Sequence, residues 1–280
     1  AAPTMTTDGK KVYVIFATGD VAALDLNGQQ IWAKNLGVPD NHYGHSSSLL
    51  LYNDLLLIQY DHNEGQHLIA LRASNGDEAY NTPRTEVQIS WASPILIDTG
   101  DRKEIVLNSA PFVVSYDPLN GQELWRVDCM YGEVGPSPAF ADQTVFAVND
   151  LAILAAIKVE DKPAIVWEYD EDLPEASSPV ATEDLLFIAT GFGPVSCFDV
   201  KTGEQYWLQE FDDGFYSSPI VVGDLVYLID KKGVTHIIKA DKQFEMISKP
   251  SLGEEVVTVP AFMPGKIFIR GSKNLYCIGN

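Results

Sequence analysis

Short apolar runs alternate with polar breaks along the whole chain, and no long 3.6-residue stripe of the kind an amphipathic helix needs is present. Typical runs are Lys11-Val12-Tyr13-Val14-Ile15-Phe16, Leu55-Leu56-Leu57-Ile58, Leu185-Leu186-Phe187-Ile188 and Leu225-Val226-Tyr227-Leu228-Ile229. They are rich in β-branched and aromatic residues and are bounded by Gly, Asp, Asn and Pro, which predicts an all-β chain.

The runs recur with a period. A small-residue and Pro landmark opens each unit at Ala2-Pro3, Ser47-Ser48, Ser93-Pro94, Ser137-Pro138, Ser178-Pro179, Ser218-Pro219 and Val259-Pro260, in steps of 45, 46, 44, 41, 40 and 41 residues. Periods of this length mark repeat architectures. The register predicts seven units starting near residues 1, 45, 91, 135, 176, 216 and 257, within one domain over 1–280.

A second landmark comes later in each unit, where a strand ends in a turn and the next strand carries an aromatic. It is explicit in Ala70 to Tyr80, in Ser115 to Trp125 and in Cys197 to Trp207, with Asn75-Gly76, Asn120-Gly121 and Thr202-Gly203 as turns. Such turns need a residue that accepts positive φ, and Asp can bond their backbone. Asp25-Leu26-Asn27-Gly28 loses a turn residue before Trp32, and the segment ending at Trp167 replaces the Gly turn by Glu160-Asp161-Lys162-Pro163. The sixth copy degenerates at Lys239-Ala240-Asp241.

The pattern small-x-Asp-x-x-(Thr/Asn)-Gly-x-x-x-Trp resembles the tryptophan-docking motif of the pyrroloquinoline-quinone-type propeller repeat, the quinoprotein alcohol dehydrogenase-like family, over essentially the whole chain. The resemblance implies a β-propeller of about seven four-stranded blades. Trp32, Trp125, Trp167 and Trp207 then pack blade on blade, and the small slot before each turn admits an aromatic from a neighbouring blade. The last unit offers three strands, near Val259 to Met263, Lys266 to Arg270 and Leu275 to Ile278, one short. The expectation is an eight-bladed parent truncated at the N-terminus, or a closing strand upstream of Ala1.

Charge narrows the partners. With 39 acidic and 19 basic side chains the chain carries −20, which repels phosphate backbones and anionic lipid, so neither nucleic acid nor a membrane surface is expected. A basic protein patch or a cation suits it better. No apolar run approaches the roughly 18 residues of a membrane span.

Candidate chemistry is sparse. Cys129, Cys197 and Cys277 form no CxxC; Cys197 and Cys277 occupy the small slot and read as packed core thiols. His42 and His45 share a loop but need a third ligand from elsewhere to hold zinc. No GxSxG elbow surrounds Ser46-Ser47-Ser48, and Thr190-Gly191-Phe192-Gly193 joins strands rather than a strand to a helix. Neither catalytic nor metal-ligating residues are expected.

What remains lies in the loops that lead from one unit into the next. Trp91 stands two residues before Ser93, near the expected mouth of an axial channel, and Tyr43 with His45 and Phe215 with Tyr216 hold comparable positions. The same loops carry Asp40, Glu86, Glu133, Asp170-Glu171-Asp172, Glu175, Asp212-Asp213 and Glu254-Glu255, which predicts a negative ring. The candidate binding face is Tyr43, His45, Trp91, Glu133, Asp170, Asp172, Glu175, Asp212, Asp213, Tyr216 and Glu254.

Family members include dehydrogenases that use pyrroloquinoline quinone and calcium above a disulfide of adjacent cysteines, which this chain lacks, and the propeller lipoprotein of the outer-membrane β-barrel assembly machinery. The resemblance therefore implies a bacterial, periplasmic or otherwise extracytoplasmic protein. The expected function is a non-catalytic scaffold without cofactor, presenting the acidic loops and channel mouth to a protein partner or small ligand. The alternative is a quinoprotein-like oxidoreductase binding pyrroloquinoline quinone and calcium.

Overall fold

The structure, a computed structural model, describes residues 3–279. Ala1, Ala2 and Asn280 lie outside the described residues, and with them the first half of the Ala2-Pro3 landmark. Two compact units are present, Ala1–Pro138 with Val159–Ala164, and Ala139–Lys158 with Ile165–Asn280.

Three sheets make up the first unit. Their strands are β1 (Thr6–Thr7), β2 (Lys11–Ile15), β3 (Asp20–Asp25) and β4 (Gln30–Asn35); β5 (Leu50–Tyr52), β6 (Leu55–His62), β7 (Gly65–Arg72) and β8 (Glu78–Pro83); and β9 (Ile95–Asp98), β10 (Lys103–Asn108), β11 (Phe112–Tyr116) and β12 (Glu123–Asp128). The second unit holds β13 (Ala139–Ala141), β14 (Thr144–Val148), β15 (Leu154–Lys158) and β16 (Ala164–Tyr169), the last beginning at the boundary. It continues with β17 (Val180–Ala181), β18 (Leu185–Ala189), β19 (Val195–Asp199) and β20 (Gln205–Gln209), then β21 (Ile220–Val222), β22 (Leu225–Ile229), β23 (Thr235–Lys239) and β24 (Met246–Ser248). The final sheet is β25 (Ala261–Met263), β26 (Lys266–Arg270) and β27 (Leu275–Gly279). Every sheet is an antiparallel meander in chain order, and the seven are the blades of a seven-bladed β-propeller, all-β, with three strands in the last.

The apolar runs are continuous because both faces of the middle strands are covered. Every residue of β14 and β18 is buried. In β6, Leu56 and Ile58 pack with Tyr13 and Val21 of the first blade, whereas Leu55 and Leu57 pack with Ile105 and Val114 of the third. Side-chain alternation along a strand thus sends successive residues to opposite neighbours, each full burial contributing roughly 1.5–3 kcal/mol.

The small slot has a different cause from the one expected. Ala23, Ala70, Ser115 and Cys197 pair directly with Trp32, Tyr80, Trp125 and Trp207 of their own blade, and each register shifts immediately afterwards. A bulge of this kind turns the large ring out of its sheet, and the small partner makes room for it. The neighbouring blade is accommodated by the turn glycine: a Cβ on Gly76 or Gly203 would lie 2.7 Å from Trp32 or 2.6 Å from Trp167. Cys277 also departs from expectation. It is exposed rather than packed, because β27 is the edge of a three-stranded sheet and no aromatic strand lies over it.

The serine landmark forms a belt of hydrogen bonds between successive blades. Backbone N–H groups of Thr4, Ser48, Ser93 and Ser178 donate to the hydroxyls of Ser48, Ser93, Ser137 and Ser218 at 2.8–3.0 Å. Ser48, not Ser47, is therefore the equivalent of Ser93, a one-residue correction to the register of the second blade.

Candidate functional site

In the first unit the loop from β4 to β5 turns at Asn41 to Gly44, closed by the Gly44 N–H on the Asn41 carbonyl. Asn41 ties this turn to a second loop. Its Oδ1 accepts from the Tyr43 N–H at 3.2 Å and from the Trp91 indole N–H at 2.8 Å, although residues 41 and 91 belong to different blades. Trp91 is fixed twice more, its N–H donating to the Val134 carbonyl at 2.9 Å and its carbonyl accepting from the Ser46 hydroxyl at 3.0 Å.

These bonds gather three rings and one carboxylate into a cluster. His42 and Tyr43 centroids each lie 5.1 Å from Trp91 and 4.2 Å from one another. Glu133, from the loop after β12, accepts from His42 Nε2 at 3.0 Å. The Glu133 carboxylate, near the Tyr43 hydroxyl, also raises that phenol above its ordinary value. His42, Tyr43 and Glu133 are about half exposed. Aromatic faces beside an anionic oxygen attract cations, and among the described residues no lysine or arginine lies over the Tyr43 or Trp91 ring.

The other candidates divide. His45 points inward: it is 2% exposed, its ring is 5.2 Å from Tyr60, its Nε2 has no partner, and burial brings it down to about 4. In the second unit Glu175 and Tyr216 meet around Gly191, whose N–H donates to Glu175 at 3.2 Å. Lys231 lies over the Tyr216 ring at 5.0 Å and donates to the Gly191 carbonyl at 2.8 Å. Glu254 is spent on the backbone N–H groups of Lys273 and Asn274. Asp170, Asp172 and Asp212 are exposed and Asp213 is half-buried in their loops, and no side-chain hydrogen bond or ion pair joins any of them to the cluster around Tyr216.

Beside the aromatic cluster a buried polar network supports the blade edge. Arg84 and Asp61, with side chains fully buried, form an ion pair, and Arg84 also donates to Ser109 at 2.7 Å and reaches the Tyr116 hydroxyl. Gln59 donates to Asp61 at 2.7 Å. In the second unit a buried aspartate, Asp230, accepts from His236 Nε2 at 2.9 Å.

Sequence reasoning missed Asn41 and Lys231 and gave His42 only a metal reading. These residues act across 40 to 91 positions of chain, and nothing in the local pattern pairs them.

Among the described residues no three His, Cys, Asp or Glu side chains come together to hold a metal ion. The three thiols are free, and burial pushes Cys129 and Cys197 up to about 12, far from a reactive thiolate. Among the described residues no helix is long and apolar enough to cross a membrane.

A family model described as outer membrane protein assembly factor BamB matches residues 160–244. Outer membrane protein assembly factor BamB of Salmonella typhimurium is 23% identical to this chain over 94% of it and 69% of the relative. A quinoprotein ethanol dehydrogenase of Pseudomonas putida is 40% identical over 57 residues, which are 20% of this chain and 9% of that one. The crystal structure of BamB from Moraxella catarrhalis superposes with a TM-score of 0.77 at 17% identity, covering 98% of this chain and 85% of that one. The chain is therefore similar to the outer membrane protein assembly factor over nearly its whole length and to quinoprotein dehydrogenases over a short stretch.

Proposed function

We propose that the chain is a non-catalytic protein-interaction scaffold of a bacterial extracytoplasmic compartment, which receives a basic segment of a partner protein on the cluster of Tyr43, Trp91, His42 and Glu133. Similarity to an assembly factor supports a scaffold role in protein interaction. The observation that carries the site is the pair of Tyr43 and Trp91 rings beside Glu133, with no lysine or arginine over either among the described residues, on a chain with net charge −20. Such a surface speeds encounter with a basic partner, and the rings supply short-range preference for its ammonium or guanidinium groups.

The experiment is titration of the protein with acetyl-trilysine-amide at low salt, followed at the Trp91 indole N–H resonance. Saturable shifts are expected, weakened about tenfold by Glu133→Gln and further by Trp91→Ala. Shifts that survive Glu133→Gln unchanged would remove the site from consideration. A parallel sample given pyrroloquinoline quinone and calcium addresses the oxidoreductase alternative; a tightly retained chromophore with dye-linked alcohol oxidation would replace the scaffold reading.

A further inference from the structure

The blade edges repeat one contact with a single departure among the clear copies. Trp32, Trp167 and Trp207 donate their indole N–H to the Ala73, Val200 and Asp241 carbonyls of the following blade, at 3.0–3.1 Å. Trp125 instead donates to Glu104 of its own blade at 2.7 Å. The reason lies in the turn that Trp125 faces, Val159-Glu160-Asp161-Lys162-Pro163. Counted from the strand end, Lys162 stands where Gly203 stands in the next blade; a Cβ at Gly203 would lie only 2.6 Å from the Trp167 ring, so a residue with a side chain at this place cannot admit a ring in the same position.

Beside Trp125 lies a cavity of ≈ 240 Å³, lined among others by Asp101, Arg102, Glu104, Trp125, Glu160 and Asp161. Glu104 is 1% exposed, a carboxylate drawn into a strand interior. Its two oxygens are held by Arg102 at 2.7 Å on one side and by Ser115 at 2.6 Å and Trp125 on the other. Asp101, Glu160 and Asp161 are exposed at the mouth, so four carboxylates face one guanidinium. The volume equals about eight waters at ~30 Å³ each. It falls below the ~300 Å³ at which ligand and cofactor pockets begin, so the end of a side chain fits and a quinone does not.

We infer that this cavity is a receptor for one arginine side chain of a protein partner. A guanidinium is flat and lies on the indole face, and its five donors in a fixed fork suit several carboxylates at once; an ammonium satisfies fewer of them. The site uses other residues than the Tyr43 and Trp91 cluster and stands or falls independently of it.

The test is titration of ¹⁵N-labelled protein with acetyl-Gly-Arg-Gly-amide at low salt, read at the indole N–H of Trp125, assigned by its loss in Trp125→Phe. A saturable shift confined to that one of the five tryptophan signals is expected. The lysine analogue should bind at least about fivefold more weakly, and the triple variant Asp101→Asn, Glu160→Gln, Asp161→Asn at least about tenfold more weakly. Absence of a saturable shift at millimolar peptide, equal binding of the lysine analogue, or undiminished binding by the triple variant each overturns the inference. Should the triple variant lose the dispersion of its other indole signals, Asp161→Asn alone is read in its place against the same outcomes.

Discussion

Two clusters stand at matching places in the two units and differ in one respect. Trp91 and Tyr216 each lie two residues before the belt serine of their blade, and each has a loop glutamate nearby, Glu133 or Glu175. In the second unit the chain supplies its own cation, since Lys231 covers Tyr216 and Glu175 is engaged by backbone. In the first unit Asp61, which follows Ser48 by as many residues as Lys231 follows Ser218, is buried against Arg84, and among the described residues no lysine or arginine lies over the rings of Tyr43 and Trp91. A propeller can thus keep one repeat position and, by exchanging a single charge, turn a self-satisfied edge into an open receptor for another chain.

The buried pair that takes Lys231's place should give the largest effect. Arg84→Met leaves the Asp61 carboxylate without its cation in a site closed to water, which costs about 3–5 kcal/mol of unfolding free energy. Urea denaturation measures it. Asp61→Leu with Arg84→Met removes both charges and should be more stable than Arg84→Met alone. A single-variant loss below about 1 kcal/mol would mean that Asp61 reaches water or another donor, and the contrast between the units would lose its base.

Acid should separate the units next. His45 and Phe215 occupy the same register, three residues before the belt serine, and both are buried. Burial lowers His45 from its ordinary 6.5 to about 4, with nearby His62 adding to the shift. The folded state therefore binds fewer protons than the unfolded chain between those values. The stability that His45 contributes is complete above pH 6.5 and is lost as pH falls through 4, about 2 kcal/mol between pH 7 and pH 4.5. His45→Phe, which imports the residue of the second unit, should flatten that part of the curve. Equal pH slopes for variant and parent would show that His45 is solvated when the protein is acidified.

The fold was legible because it repeats. Strand runs, turn glycines and serine landmarks recur often enough to tolerate degenerate copies, and even the short last blade shows in the spacing. Two details escaped for the same physical reason: the small slot serves its own blade's aromatic, and Cys277 is exposed, because cross-strand register and sheet edges are properties of pairing rather than of any one strand. Of the candidate face, Tyr43, Trp91 and Glu133 were found through loop position and do meet. His45 was chosen on the same grounds and points inward, since loop position does not say which way a side chain turns. Glu104 did leave a signal, a lone carboxylate inside Glu104-Ile105-Val106-Leu107, but its meaning depends on a turn more than 50 residues further on.

The smallest and most specific expectation concerns Lys231 itself. Lys231→Met keeps most of the stem that packs along Tyr216 but removes the ammonium, and with it the bond to the Gly191 carbonyl. Tyr216 then presents a bare face beside Glu175, the arrangement that Trp91 and Glu133 have without mutation. Trilysine should gain a second binding event, worth about 1 kcal/mol of cation–π and carboxylate attraction at low salt and screened away near 0.5 M. Calorimetry would show it as added stoichiometry in Lys231→Met, while Glu133→Gln in the same background should cancel the first event and leave the second. An unchanged stoichiometry would mean that Lys231 is a packing residue and no resident cation, and the open cluster of the first unit would then need a cause other than the lack of one.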